Sequence, residues 1–359
     1  MIPMTILTSI GHVTVERRYL ACSKCLAKTV PWDQWAGLEN HRRMSPHARR
    51  MLTLAGTSWS FDTAASRLKE LCHITVSDDT IERVCQEEGQ RAQKWMNESD
   101  APVKSFAAAT GQAEFYTDGV KVNTTGGWRE MRLSVLAKRQ AALPATPAQW
   151  KDRVLSAPTA RMAVCAIAPA NVVGSSWKRL ADHLGLPCDH PLSVLADGAK
   201  WIWHEAAKRF NKDTRWIVDI FHVSEHLHHC GKEMLGNSPM ARQWADAQLE
   251  RLIEIEGPRF INELDEQIAA TTDGAQRKSL ENLRGYLQEN HDSMWYATRL
   301  KEGLPIGSGL IEGACKNAVA VRLKINNPRW RIRRAEKIAA LRCLDYSLQW
   351  DPFWQDRAA

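Results

Sequence analysis

The feature that most constrains the fold is a change of hydrophobic periodicity near Gly111. From about residue 45 to 95, apolar residues such as Phe61, Ala64 and Leu68 recur at the spacing of an amphipathic helix. From residue 130 to 137, apolar and polar residues alternate, which is the period of a half-buried strand. The chain therefore joins a helical region to a region that contains a sheet.

Downstream of Gly111, the pattern predicts the order strand, strand, strand, helix, strand, helix, strand. The predicted strands are 114–122, 130–137, 161–168, 192–196 and 216–223, and the predicted helices are 175–184 and 201–210. Three strands that can pair as a meander, followed by alternating elements, favour an α/β fold with a mixed sheet covered by helices. Residues 224–300 are predicted to be wholly helical.

Composition excludes several classes of protein. A chain of 359 residues, 44% hydrophobic and 25% charged, is typical of a globular protein with two or three domains. No apolar run could span a membrane, and the N-terminal segment lacks the features of a signal peptide, so we expect a cytoplasmic protein. The nine scattered cysteines are expected to be reduced.

A basic stretch lies near the C-terminus of a chain whose net charge is 48 − 41 = +7. Between Lys316 and Lys337, eight basic residues stand against one acid, Glu336. The candidate DNA contacts are Lys316, Arg322, Lys324, Arg329, Arg331, Arg333 and Arg334, with Trp330 as a base-stacking residue. A solvated helix face would have the same charge pattern, so charge alone leaves both interpretations open.

Three acids occupy positions that suit a metal site. Asp118 lies inside the first predicted strand of the sheet, Asp197 ends the fourth, and Glu312 follows a glycine-rich turn near the start of a helix. A carboxylate among apolar residues is costly to bury unless a cation compensates it. Taken alone, each aspartate is better explained as a turn residue, and Glu312 as a residue that caps the helix dipole.

Four segments in order along the chain carry a family resemblance. They are Thr117–Gly119 (TDG), Leu195–Ile202 (LADGAKWI), Asp219–His222 (DIFH) and Gly307–Lys316 (GSGLIEGACK). Together they resemble the DDE transposases of bacterial insertion sequences, closest to the ISKra family and more distantly the Mutator-like group. The resemblance covers roughly residues 20–345.

The resemblance implies an RNase H-like core, interrupted by a helical insertion, that cleaves DNA at element ends and transfers the strand into target DNA. It implies that Asp118, Asp197 and Glu312 bind two Mg²⁺ ions, for which Mn²⁺ can substitute. Such ions would stabilise both the attacking and the leaving oxygen of a phosphodiester. We expect His222 to act near the triad, on phosphate or metal-bound water. The implied partner is double-stranded DNA, bound by a homodimer or higher oligomer at the bacterial nucleoid.

Five segments are predicted. They are a Cys-pair strand region (1–35), a helical, helix-turn-helix-like DNA-binding region (36–104), the first part of the core (105–225), a helical insertion (226–303), and C-terminal core helices with the catalytic Glu and the basic segment (304–359). Helix pairs like the one in 45–95 also occur in helical domains that bind no DNA.

Cys22 and Cys25 form the C-x-x-C pair of a zinc knuckle, but a structural zinc site needs four ligands. His12 and His41 do not have the spacing of a second pair. Two expectations follow: further ligands precede Met1, or the knuckle has lost its metal and packs as ordinary core. We favour the second.

Two rival functions remain. One is an RNase H-like nuclease without strand transfer, which needs the same acids. The other is a non-catalytic DNA-binding protein derived from a transposase, which the presence of all three acids disfavours. The sequence has no phosphate-binding loop of the Gly-x-x-x-x-Gly-Lys type, so we expect no nucleotide triphosphate chemistry.

Overall fold

A computed structural model describes residues 1–38, 43–186, 192–210 and 213–356. Its strands are β1 (Ile2–Thr8), β2 (Gly11–Arg17), β3 (Leu20–Ala21), β4 (Lys28–Thr29), β5 (Gln112–Thr124), β6 (Gly127–Arg139), β7 (Ala160–Ala166), β8 (Leu192–Ala196) and β9 (Arg215–Val218). Its helices are α1 (Pro31–Trp35), α2 (Pro46–Ser58), α3 (Phe61–Cys72), α4 (Asp78–Glu98), α5 (Asp100–Ala108), α6 (Ala170–His183), α7 (Lys200–Ala207), α8 (Ile220–Leu235), α9 (Pro239–Ala270), α10 (Gly274–Glu289), α11 (Tyr296–Lys301), α12 (Gly309–Ala314), α13 (Val321–Leu323), α14 (Ile332–Tyr346) and α15 (Trp350–Gln355). A π-helical segment, Cys315–Ala320, connects α12 to α13.

The central sheet has five strands in the order β7-β6-β5-β8-β9. β6 pairs antiparallel with β7, whereas β8 is parallel to both β5 and β9. Two residues separate β5 from β6, so these strands form an antiparallel hairpin. β6 is therefore the one strand of this sheet that runs against the others, which confirms the predicted fold class, a mixed α/β sheet accompanied by many helices.

One predicted element ends earlier than expected. The strand expected over 216–223 ends at Val218, because Asp219 begins helix α8 as its N-cap residue. The side chain of Asp219 accepts a hydrogen bond from the backbone N–H of Phe221 at 3.1 Å, and this bond satisfies a donor that the first turn leaves unpaired. The apolar run continues across this boundary, so its periodicity alone could not locate the end of the strand.

The chain divides into two compact units. The first comprises Met1–Ala101, Lys121–Glu130 and Lys316–Ala359, and the second comprises Pro102–Val120 and Met131–Cys315. The five segments predicted from the sequence are finer than these units and stay predictions. No helix in the described parts of the chain is both long and apolar enough to cross a bilayer.

The first unit has a helical core. Ser60 and Ser77 cap α3 and α4 by accepting hydrogen bonds from backbone N–H groups of the following turn. Gly89 of α4 lies so close to α14 that a Cβ there would come within 2.5 Å of the Lys337 carbonyl oxygen. The helical region upstream of Gly111 is thus packed as a core of its own unit.

One face of the central sheet in the second unit is covered by aromatic residues. The ring of Phe115 lies 5.0 Å from the rings of both Trp177 and Phe210. Trp177 Nε1 donates to Ser134 Oγ at 2.7 Å, and Ser134 Oγ lies 3.0 Å from Thr117 Oγ1. Since strand side chains alternate between faces, Asp118 points to the opposite face from Phe115 and Thr117.

Candidate active site

Asp118 and Asp197 occupy equivalent positions on adjacent parallel strands. The register of β5 and β8 ends with Tyr116 paired to Leu195, and Asp118 and Asp197 each lie two residues further along the chain. Neighbouring strands lie about 4.8 Å apart, and residues at equivalent positions of parallel strands point to the same face. We therefore expect these two sequence-predicted residues to lie near each other.

Asp219 occupies the same level on the next strand. The register of β8 and β9 pairs Ala196 with Val218, so one further step sets Asp197 beside Asp219. The backbone N–H of Asp219 donates to the carbonyl oxygen of Ala196 at 2.8 Å, which extends the ladder beyond the end of both strands. Asp197 and Asp219 thus directly follow β8 and β9, and Asp118 lies in β5, the other neighbour of β8.

A buried arginine lies under the same face of the sheet. Arg299 donates from Nη1 to Ser193 Oγ at 3.3 Å and from Nε to the carbonyl oxygen of Pro305 at 2.7 Å. Ser193 is four residues before Asp197 on one strand, so the two side chains share a face. Burial lowers the pKa of Arg299 to about 10. Arg299 therefore fixes the turn that precedes α12, a role that nothing in its local sequence indicated.

Asp219 is joined to that same turn. Its Oδ1 accepts from the Ser308 backbone N–H at 3.1 Å, and its Oδ2 accepts from Ser308 Oγ at 2.6 Å. Both residues are buried. Burial raises the pKa of Asp219, while the hydrogen bonds from Ser308 and Phe221 oppose the shift. Ser308 was not predicted as a site residue, although it lies within the quoted glycine-rich motif.

Glu312 lies on α12, directly after this turn. Partial desolvation, followed by the negative charges of Asp219 and Asp118, raises the pKa of Glu312. Cys315, three residues further along the same helical run, is 3.8 Å from Asp118 Oδ2 through its Sγ. Residues three apart on a helix share a face. The structure therefore brings Glu312 into the electrostatic field of Asp118 and Asp219.

The backbone beside Asp197 requires glycine. Gly198 has a φ of +88°, and a Cβ there would come within 3.0 Å of Val218 and 3.1 Å of Asn290. Asp197 Oδ1 accepts from the backbone N–H of Ala199 at 2.9 Å across this turn. Asp197 and Gly198 thus form a turn, as the interpretation of a single Asp-Gly pair predicted. The turn also holds the Asp197 carboxylate at the end of the strand.

His222 lies in the first turn of α8, three residues after Asp219. Its Nδ1 is 3.4 Å from Glu225 Oε2, and its ring is 5.5 Å from that of His226. The ring of His226 stacks on Tyr286 at 3.7 Å, and the Tyr286 hydroxyl lies 3.5 Å from the carbonyl oxygen of Asp197. Burial and the neighbouring His222 lower the pKa of His226. A role for His222 on phosphate or water stays a prediction.

The carboxylates provide the chemistry of a magnesium site without being assembled into one. Across the described ranges, no group of three or more His, Cys, Asp or Glu side chains is placed so as to hold a metal ion. Mg²⁺ nevertheless prefers oxygen donors such as Asp118, Asp197 and Glu312 and keeps several of its own waters. Desolvation, followed by the charges of Asp219 and Asp118, raises the pKa of Glu312. The donor set fits Mg²⁺, and its convergence on an ion stays a proposal.

The predicted DNA contacts fall into two groups. Lys316, Lys324, Arg329, Arg331, Arg333 and Arg334 are exposed, and Arg334 forms a 2.5 Å ion pair with Glu82. Arg322 and Trp330 are buried, at 6% and 7% exposure. The guanidinium of Arg322 lies 5.0 Å from the ring of Trp330, whose Nε1 donates to the Leu323 carbonyl oxygen. The prediction that Arg322 and Trp330 contact DNA is therefore wrong for this conformation, because both are core residues.

The Cys pair is exposed. Cys22 and Cys25 lie in the turn between β3 and β4, where Leu26 N donates to Cys22 O at 3.0 Å. Backbone and side-chain hydrogen bonds from Cys25 and Lys24 lower the pKa of Cys22. The favoured expectation that the knuckle packs as ordinary core is wrong, since both thiols face solvent. His41 lies outside the described residues, and zinc binding at the Cys pair stays a prediction.

Comparisons with known proteins found a matching family and similar solved structures. The profile described as "Uncharacterised protein family (UPF0236)" matches residues 170–342, so the chain is similar to this family over that stretch. No curated protein matches the chain. Among solved structures, the Drosophila P element transposase strand transfer complex is 9% identical, covers 87% of this chain and 95% of its own, and has a TM-score of 0.39. The matched stretch contains Asp197, Asp219, His222 and Glu312, and it begins after Asp118.

Proposed function

We propose that this protein is a DNA transposase of the DDE type, with Asp118, Asp197 and Glu312 as its metal-binding acids. The observation that carries the proposal is the parallel pairing of β5 with β8, because Asp118 and Asp197 each lie two residues beyond its last pair, Tyr116 and Leu195. Desolvation and the negative charges of Asp219 and Asp118 raise the pKa of Glu312, which supports Glu312 as the third member of the triad. Similarity to a transposase-like family over residues 170–342 supports the reaction class.

In this proposal the protein contributes position and electrostatics. Two Mg²⁺ or Mn²⁺ ions, when bound, would supply Lewis-acid stabilisation of the oxygens that attack and leave phosphorus. Asp118 and Asp197 are held by the sheet, and Asp219 fixes the turn from which Glu312 projects. His222, three residues after Asp219 in the first turn of α8, would contact a phosphate bound near these acids.

The proposed substrate is double-stranded DNA, the ends of the mobile element and then the target, bound in the cytoplasm at the nucleoid by two or more copies of the chain. Exposed basic residues of the first unit would contact the phosphates. Strand transfer distinguishes this function from simple nuclease activity. The discriminating measurement is whether the cut element end becomes covalently joined to a target plasmid, because a nuclease of the same fold would leave only nicked or cleaved DNA.

The test uses DNA that carries the chain's own genomic flanks, with Mg²⁺, Mn²⁺ or chelator. We expect metal-dependent nicking that Asp118→Asn, Asp197→Asn and Glu312→Gln each abolish, while DNA binding and folding persist. Glu302→Gln is the matched control, because this exposed carboxylate pairs with Arg215 in the same unit. Cleavage by any of the three amide variants at the wild-type rate would show that the triad is wrongly assigned.

A further inference from the structure

The tip of the β5–β6 hairpin and the basic segment near the C-terminus form one surface within the first unit. We call residues 121–130 and 324–333 the hairpin-tip surface. The backbone N–H of Thr125 donates to the carbonyl oxygen of Trp330 at 2.9 Å, and the N–H of Trp330 donates to the carbonyl oxygen of Asn123 at 3.0 Å. The two segments are thus joined through their backbones.

Buried residues and hydrogen bonds fix the backbone of this surface. Trp330 is buried against Phe61, with ring centroids 6.4 Å apart in an edge-on arrangement. At the tip, Thr124 is buried, and its Oγ1 donates to the Gly127 carbonyl oxygen at 2.5 Å. Asn123 Nδ2 donates to Asn327 Oδ1 at 3.3 Å, which ties the hairpin to the turn of the basic segment. The exposed residues on this surface therefore stand on a fixed backbone.

The charge of the surface is strongly positive. It contains six basic residues and one acid, a net 6 − 1 = +5. The basic residues are Lys121, Arg129, Lys324, Arg329, Arg331 and Arg333, all of them exposed. The acid, Glu130, lies 3.9 Å from the Lys121 ammonium. Such a density of exposed cations favours a polyanionic partner such as a nucleic acid over an apolar one.

A large aromatic side chain is exposed on the same surface. Trp128 is 56% exposed and directly precedes Arg129 at the start of β6. An indole held in water at the tip of a hairpin contributes little to the stability of the fold. Aromatic rings beside cations are the usual platform on which proteins stack unpaired bases, because the cations hold the backbone while the ring covers the base.

We propose that the hairpin-tip surface binds DNA at a point where a base is unpaired, and that Trp128 stacks on that base. The inference rests on the proposed function, since a transposase must act where duplex ends are opened. Within an intact duplex both faces of every base are covered by its neighbours. Trp128 therefore provides binding energy that a fully paired duplex cannot use, while the six cations act on both kinds of DNA.

The test is equilibrium binding of the full chain to two fluorescein-labelled probes, without divalent metal, at several salt concentrations. One probe is a short perfect duplex, and the other is the same duplex with a central unpaired thymine. Trp128→Ala should weaken binding to the unpaired probe by about tenfold and leave the perfect duplex nearly unchanged. Trp128→Tyr, which keeps an aromatic ring, should retain most of the preference. Arg129→Gln should lower the salt slope by about one on both probes.

Trp35→Ala is the matched control, because Trp35 is 83% exposed in the same unit and lies outside the surface. The proposal is overturned if Trp128→Ala binds both probes as Trp35→Ala does, or if it weakens both equally. Binding is measured without metal, so the result is independent of cleavage. Trp128→Ala could lose the preference for the unpaired probe while Asp118→Asn still cuts DNA. That result would refute the triad and support the proposed role of the hairpin-tip surface.

Discussion

Ser308 donates two hydrogen bonds to the carboxylate of Asp219, one from its backbone N–H at 3.1 Å and one from its hydroxyl at 2.6 Å. Asp219 follows the last residue of β9, and Ser308 directly precedes α12. The pair therefore fixes the distance between the end of the sheet and the helix that carries Glu312. This gives the Asp219–His222 motif a structural role in addition to any chemical one.

Asp219→Ala should destabilise the fold more than Asp219→Asn. Alanine leaves the buried Ser308 donors without an acceptor and removes the cap of α8, whereas asparagine keeps an acceptor of the same shape. We expect a loss of about 1–3 kcal/mol in the free energy of unfolding for alanine and a much smaller one for asparagine. Urea denaturation measures both. Equal losses would show that the hydrogen bonds do not stabilise the turn.

The effect of Asp219→Asn should depend on pH. Burial raises the pKa of Asp219 in the folded protein above that of an unfolded aspartate, so the folded state binds the proton more tightly. This group therefore favours folding most below the unfolded pKa, and its contribution falls as the pH rises through the folded pKa. Asparagine cannot titrate. The wild-type free energy of unfolding minus that of Asp219→Asn should decline with rising pH in this acidic window, and a flat difference would contradict the raised pKa.

Glu312→Gln should reduce stabilisation by Mg²⁺. Desolvation and the charges of Asp219 and Asp118 raise the pKa of Glu312, so removing its charge relieves repulsion when no metal is present. We expect the variant to melt at or above the wild-type temperature in chelator and to gain less than wild type on addition of Mg²⁺. Scanning calorimetry with Mg²⁺ and with chelator measures both. An equal gain in the two proteins would exclude Glu312 as a ligand.

The salt dependence of DNA binding should respond to the exposed arginines. If Arg329 and Arg331 contact phosphates, changing both to glutamine should lower the slope of log affinity against log salt by about two. The control is the double change of Lys178 and Lys278 to glutamine, because these lysines are exposed in the other unit. An unchanged slope in the arginine variant would identify the basic stretch as a solvated face.

Trp330→Ala should lower the stability of the fold, and any loss of DNA binding should follow from that. Trp330 is 7% exposed and packs on Phe61 and Arg322, so its loss leaves a large cavity. We expect the free energy of unfolding to fall by about 3–5 kcal/mol, against almost no change for the exposed Trp35→Ala. Thermal or urea unfolding measures this. A stable variant that had lost only DNA binding would restore Trp330 as a contact residue.

The sequence predicted the sheet well because alternation is a local signal. The strand at Leu192–Ala196 was located to the residue, and the hairpin of β5 and β6 to within three residues at either end, since turn residues and alternating apolar positions mark both. The boundary at Asp219 was missed because the apolar run continues through it from a strand into a helix. Only the three-dimensional position of Ser308 shows why the chain changes conformation there.

The acids of the candidate site could be predicted from the sequence, but the buried residues that position them could not. Asp118, Asp197 and Glu312 were identified from motifs, whereas Arg299 acts through contacts with residues distant in sequence. The same limit explains the error at Trp330. A tryptophan between arginines has the composition of a stacking platform whether it faces solvent or the core. The sequence does not say which, and Trp128, which does face solvent, lies at the start of β6, directly after a turn.

The matched register of β5, β8 and β9 determines which changes in length the chain can accept. Inserting or deleting one residue in β5 between Ala113 and Asp118 would turn the carboxylate to the aromatic face of the sheet, because side chains alternate with a period of two. The same change at Gly236–Ser238, between α8 and α9, would leave all three strands in register. Homologues that keep this site should therefore vary in length in the helical block and hold the spacing within each strand constant.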